Sequence, residues 1–201
     1  MKYFFLFFTG LLMVIKPSPG CCSNFPVDGV YFSFEEFRAG SPGLVKNQLY
    51  RELDKNNFSI RQWTGGTTLY FITGTGLKLE VGRDSIWGYA ENGTAYVQLG
   101  GRFHKIATLG TISYFLETYP VIGNNPAPVV TETKASSAYR LLDMETGDFL
   151  YYSLSDFMPL LERDEELYKE FESIDSPKVR KKKMYSFLER YNKAHPLVPG
   201  S

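Results

Sequence analysis

The chain is poor in the side chains on which most enzyme chemistry rests. Its 201 residues include two histidines and two cysteines. The cysteines, Cys21 and Cys22, are adjacent. Neighbouring cysteines cannot be bridged without straining the backbone, so a disulfide framework is excluded. Both stand at an expected cleavage point, which leaves no Cys–His pair and no structural zinc site of Cys and His. His195 belongs to a terminal HPLVPGS tail, a poor place for catalysis, and His104 falls in an expected strand, where it reads first as a partly exposed strand residue. HExxH, GxSxG, GxxxxGK[ST] and GxGxxG are all missing, so no cofactor is expected. Charge of one sign is missing too. Lys plus Arg and Asp plus Glu stand at 22 each, and without residues 1–20 the balance is 20 bases to 22 acids. Such a domain has no global field to draw it onto nucleic acid, and no nucleic-acid partner is expected. The apolar run at residues 3–15 is shorter than the roughly 20 residues a membrane-spanning helix needs.

That run is informative for another reason. Lys2 precedes YFFLFFTGLLMVI, and Lys16, Pro17, Ser18, Pro19 and Gly20 follow it. A basic start, a short apolar stretch and small residues before a cut describe an export signal over residues 1–20. Cys21 directly after Gly20 resembles the lipidation site of a bacterial lipoprotein, although Ser18 stands where such signals prefer Leu and Pro19 is a poor neighbour for the cut. Cleavage after Gly20 without lipidation is the alternative. Acyl chains on Cys21 would tether the domain to a membrane by burying about 0.8 kcal/mol of apolar free energy per CH₂.

What the chain has in plenty is aromatic residues, 16% in all, with 14 Tyr and 16 Phe. These suit a pleated, half-buried surface. Ser33 and Glu36 form a capping-box pattern before a helix of about two turns, closed by Gly40 and Pro42. Residues 49–119 then read as successive short strands: LYREL, FSIRQW, TTLYFI, LKLEV, SIWGYA, TAYVQL, RFHKIATL and TISYFLETY. Asn92-Gly93 and Gly100-Gly101 are hairpin signals, because a type I′ turn needs two residues at positive φ. Residues 120–137 read as a surface loop, and METG between AYRLLD and FLYYSL as a further hairpin rejoining the sheet. Ser155 or Asp156, Asp164 and Ser176-Pro177 mark helix starts in a C-terminal segment over residues 155–195. The expected fold is α+β: one β-rich domain over residues 21–201, mainly an antiparallel meander forming a barrel or sandwich, with a short N-terminal helix and C-terminal helices packed on the sheet.

Several residues are candidates for a site, each with a plainer explanation. Trp87, Tyr89 and Tyr96, with Trp63, offer a stacking surface for a ligand such as a sugar, or simply a sheet core with cross-strand pairs. Asp84 and Glu91 bracket the Trp87 strand and are the first candidates for a glycosidase carboxylate pair, though both also fit turns. The stretch from Asp143 to Asp148 superficially resembles a calcium loop, but it lacks the later bidentate Glu, and a hairpin explains it better. Lys178, Arg180, Lys181, Lys182 and Lys183 could meet lipid or nucleic-acid phosphates, but they sit beside the acidic stretch of Asp164, Glu165, Glu166, Glu170 and Glu172 and read first as a solvated helix face.

SIWGY, the Asn-Gly hairpin and its aromatic strand, and the pattern LLERDEELYKEFE…KKKMYSFLERYNKAHP resemble an uncharacterised group of secreted or lipid-anchored envelope proteins from Bacteroidetes, as does the opening GVYFSFEEFRAGSP. The likeness spans most of residues 28–196. It implies a bacterial envelope location and assigns no activity and no functional residue. The leading expectation is therefore a non-catalytic envelope protein, an interaction or accessory module, periplasmic, outer-membrane or secreted. The alternative is a glycan-binding or glycan-cleaving domain built on the aromatic strands and spare carboxylates.

Overall fold

The computed structural model describes residues 25–51, 58–66, 68–120 and 135–200. The expected signal at 1–20, the lipidation site Cys21 and most of the loop at 120–137 lie outside the described residues. The chain forms, in order, β1 (Gly29–Tyr31), α1 (Phe34–Arg38), β2 (Leu49–Tyr50), α2 (Ile60–Thr64), β3 (Leu69–Ile72), β4 (Lys78–Val81) and β5 (Gly88–Glu91), then β6 (Thr94–Leu99), β7 (Arg102–Thr108), β8 (Ile112–Pro120), β9 (Ala135–Asp143), β10 (Phe149–Tyr151), α3 (Leu154–Leu161), α4 (Glu165–Glu172) and α5 (Pro177–Ala194). The architecture is α+β and antiparallel throughout. A seven-stranded sheet runs β1-β5-β6-β7-β8-β9-β10, and a three-stranded sheet runs β2-β3-β4.

Turn chemistry sets the register. Asn92 and Gly93 have φ of 53° and 70°, and Gly100 and Gly101 of 58° and 71°, the two-residue positive-φ turns that match strand twist. The first places Tyr89 opposite Tyr96, and the second places Leu99 opposite Arg102. The hairpin between β9 and β10 rejoins the large sheet, as expected.

The expected strand FSIRQW is instead α2. Ser59 Oγ accepts from the Gln62 backbone N–H at 3.1 Å, and Gln62 Oε1 accepts from the Ser59 N–H at 2.7 Å. This reciprocal box satisfies two donors that a helix start leaves free, and it overrides the aromatic, β-like composition. Two cap positions also differ from expectation. Ser153 caps α3, where Ser155 or Asp156 was expected, and Ser176 makes no side-chain cap bond at α5.

One face of the large sheet is covered in two parts. Over β1, β5 and β6, α2 and the small sheet bury Val30, Ile60, Trp63, Leu69, Ile86 and Tyr89. Over β8 and β9, helices α3 to α5 bury Ile112, Leu141, Phe157, Phe171, Phe187 and Leu188. The Asn192 amide lies against β8 as a strand neighbour would, accepting from the Ile112 N–H and donating to the Ile112 carbonyl, each at 2.8 Å. The opposite face curls around Tyr31, Val97, Ile106, Phe115 and Leu142. Across this face Trp87, just before β5, comes within 6.5 Å of Phe149 of β10 between ring centroids, and Phe37 of α1 packs on Trp87 there. The strand order ends at β1 and β10, so the curl stays open and no closed barrel forms.

Candidate functional site

Tyr89 and Tyr96 meet because they are direct cross-strand partners, with side chains on the same face. Their rings stack at 4.5 Å and 11°, and Phe103 of β7 packs edge-on to Tyr89 at 5.2 Å. Lys105 lies opposite Tyr96 in the register. Beside this floor the last turn of α2 brings Arg61, Thr64 and Gly65, and the turn at Arg83–Ser85 brings Arg83. With Arg102, these residues surround an open cleft of about 470 Å³.

One carboxylate and one amide outside the cleft hold its walls. Glu91 accepts from the Ile60 N–H at 2.9 Å, at the N-terminus of α2, where a negative charge is favoured. Lys46 lies 3.9 Å from the same carboxylate. Gln98 donates to the Arg83 carbonyl at 3.2 Å, and the Arg83 guanidinium lies over the Phe103 ring at 5.6 Å.

The cleft is electropositive. Arg61, Arg83, Arg102 and Lys105 line it, and none forms an ion pair among the described residues. Arg83 Nε is buried with no hydrogen-bond partner among the described residues. Burial, then the neighbouring Tyr96, push the Tyr89 phenol far above its usual range, against the pull of Arg61 and of the hydrogen bond with Thr64. Tyr89 is a neutral hydroxyl, buried beneath the cleft and hydrogen-bonded to Thr64. Among the described residues that line the cleft there is no carboxylate, imidazole or thiol. The arrangement can bind an anion through its guanidinium and ammonium groups.

The other candidates lie elsewhere. Trp87 joins the opposite face, 5.8 Å from Phe34 and 5.0 Å from Phe37. Gly88 follows it, where a Cβ would lie 2.5 Å from the Tyr96 carbonyl. Of the four aromatic residues singled out from the sequence, only Tyr89 and Tyr96 share a site. Trp63 is core, its indole donating to the Tyr70 carbonyl at 2.8 Å. Glu91 is engaged at α2 and Asp84 is exposed on its turn; neither lines the cleft. Asp143 is occupied by Arg163, and no group of three metal-ligating side chains occurs among the described residues. His104 is buried in β7, with its ring between the Leu99 carbonyl and the Thr118 N–H. Lys181, Lys182 and Lys183 are exposed on α5.

Sequence reasoning missed the four cations of the cleft. They come from three separate stretches of chain, and only the packing of α2 and the small sheet on the large sheet brings those stretches together. The one local signal was Arg102-Phe103-His104-Lys105 directly after the Gly-Gly turn. No helix among the described residues is long and apolar enough to cross a membrane. No protein-family model, no curated protein and no solved structure matches the chain, so the cleft stands on its own geometry.

Proposed function

We propose that the protein is an exported, non-catalytic binding module of a bacterial cell envelope, and that its ligand sits in the cleft between α2 and strands β5 to β7. The observation that carries the reading is the lining itself: four cations without an ion pair among the described residues, gathered over an aromatic floor. Its volume falls in the range of about 300–1,000 Å³ usual for small-molecule sites. A screen of neutral and charged small molecules by thermal shift tests this, since a ligand of the folded state raises the melting temperature. Gly65 is exposed at the rim with φ of −78°, and a Cβ there meets nothing closer than 3.5 Å. Gly65→Trp is therefore expected to leave the fold intact and to abolish the shift produced by any hit. A hit whose shift survives that substitution binds elsewhere, and the cleft loses its assignment.

Export and tethering rest on the charged, apolar and small-residue pattern of residues 1–20 and on Cys21. Mass spectrometry of the mature protein from its own host is expected to find an acylated Cys21 as the first residue. An unmodified Cys21, or a cut elsewhere, would remove the anchor from the proposal.

A further inference from the structure

The cleft carries more charge than a single anion requires. Four cations converge on it from α2, the turn at Arg83–Ser85 and β7, with no acid among the described lining residues. The chain without residues 1–20 has 20 bases and 22 acids, so this concentration of positive charge is local. A lone phosphate or sulfate would fill only a corner of about 470 Å³. The occupant must therefore carry at least two anionic groups on a larger frame. Arginine forks match the planar geometry of carboxylates and the oxygens of sulfate or phosphate.

The frame is constrained by what remains. A nucleobase is usually held against free aromatic faces. Here Tyr89 and Tyr96 stack on each other, and the guanidinium of Arg83 occupies a face of Phe103. No facing pair of rings is left to sandwich a base. Tyr89 and Thr64 are buried beneath the cleft, so what it offers a ligand is its guanidinium and ammonium donors and the partly exposed edges of Tyr96 and Phe103, which suit a molecule rich in hydrogen-bond acceptors with one apolar face, as a sugar unit has.

We propose that the cleft binds an acidic oligosaccharide, a short run of sugar units bearing two or more carboxylate or sulfate groups. This deepens the binding-module reading and rests on it. The test is titration calorimetry of the mature chain with trigalacturonate, a sulfated heparin-type tetrasaccharide, neutral cellotetraose, pyrophosphate and ATP. Trigalacturonate or the sulfated tetrasaccharide is expected to bind saturably, more weakly at high salt, and about a hundredfold tighter than cellotetraose. Which of the two binds tells carboxylate from sulfate recognition, and either supports the proposal. Arg83→Gln and Lys105→Gln are each expected to weaken binding about tenfold, the loss of one charge-assisted hydrogen bond. Lys105 is exposed, so its variant reports on binding even if Arg83→Gln folds poorly. Cellotetraose binding as tightly as the acidic sugars would overturn the acidic reading, as would unchanged affinity in both charge variants. Pyrophosphate or ATP binding in place of both acidic sugars would overturn the sugar frame. In each of those cases a block by Gly65→Trp leaves the cleft itself intact as a binding site. No binding by any of the five, or binding indifferent to Gly65→Trp, would overturn the cleft and the acidic sugar together.

Discussion

Arg163→Ala is expected to lower folding stability by about 3 kcal/mol at neutral pH, at the lower end of the cost of breaking a buried ion pair. Arg163 lies between α3 and α4 and reaches back to the end of β9. Its two terminal nitrogens donate to Asp143 at 2.9 and 2.6 Å, and one lies 3.2 Å from a Glu145 carboxylate oxygen. The Arg163 side chain is 29% exposed and that of Asp143 only 2%, so the acid depends on the pair more than the base does. Burial alone would raise the Asp143 carboxyl. Arg163, the Glu145 N–H and the Thr146 hydroxyl outweigh it and hold the group below its usual value. A carboxyl depressed in the folded state stabilises the protein above its unfolded pKa of about 3.9, and that contribution is lost as pH falls through the lower folded value. Without Arg163, burial is opposed only by the Glu145 N–H and the Thr146 hydroxyl, and the carboxyl is expected to rise. The deficit of the variant should then be largest near neutrality and shrink towards acid pH, as Asp143 takes up a proton. Urea unfolding between pH 3 and 8 checks this. Adding Asp143→Asn to Arg163→Ala should restore part of the loss, since it removes the stranded charge. A deficit independent of pH would mean that Arg163 contributes only by packing.

Leu188→Ala is expected to cost about 2–5 kcal/mol, the range for a fully buried leucine in a close-packed core. Leu188 is 0% exposed, within the cluster that joins α3, α4 and α5 to β8 and β9. Phe171 packs there at 5.6 Å from Phe157 and 4.9 Å from Phe187, all three at most 3% exposed. Rigid aromatic neighbours collapse poorly into a cavity, which favours a cost well inside that range. The measurement is the urea midpoint, with Lys182→Ala as the control, expected within about 0.5 kcal/mol for an exposed side chain. An unchanged midpoint for Leu188→Ala would show α5 to be detached from the core, and an arm for docking a partner would become the better account.

The C-terminal helices were legible in sequence because local signals agreed with the long-range result. The spacing of Val179, Met184, Phe187, Leu188 and Tyr191 predicts one apolar stripe on α5; the last four are its buried stripe while Val179 is exposed, and Asp164 caps α4 as expected. The Asn-Gly and Gly-Gly turns were legible because few other residues tolerate their φ. By contrast, α2 was hidden. Phe58 and Ile60 alternate like a strand, and only the spacing of Ile60 to Trp63, both buried, betrays a helical face. The placement of Trp87 could not be read either, since strand alternation puts it beside Tyr89, whereas it packs on the opposite face against Phe37. The cleft was legible in half. Its aromatic floor followed from one hairpin, and its cations required the stacking of two sheets.

The outer layer that walls the cleft is thinly held. β2 has two residues, three of the four in β4 are exposed, and α2 is a single short helix tied down by Glu91 and by the indole of Trp63. An occupant that spans Arg61 and Arg83 on this layer and Lys105 on the large sheet would serve as a detachable part of the core, supplied from outside. Occupancy at a hundred times the dissociation constant would add about 2.7 kcal/mol to the cohesion of the assembly. By the same linkage, whatever loosens the layer must release the ligand, so the filled and the firmly closed receptor would be one state.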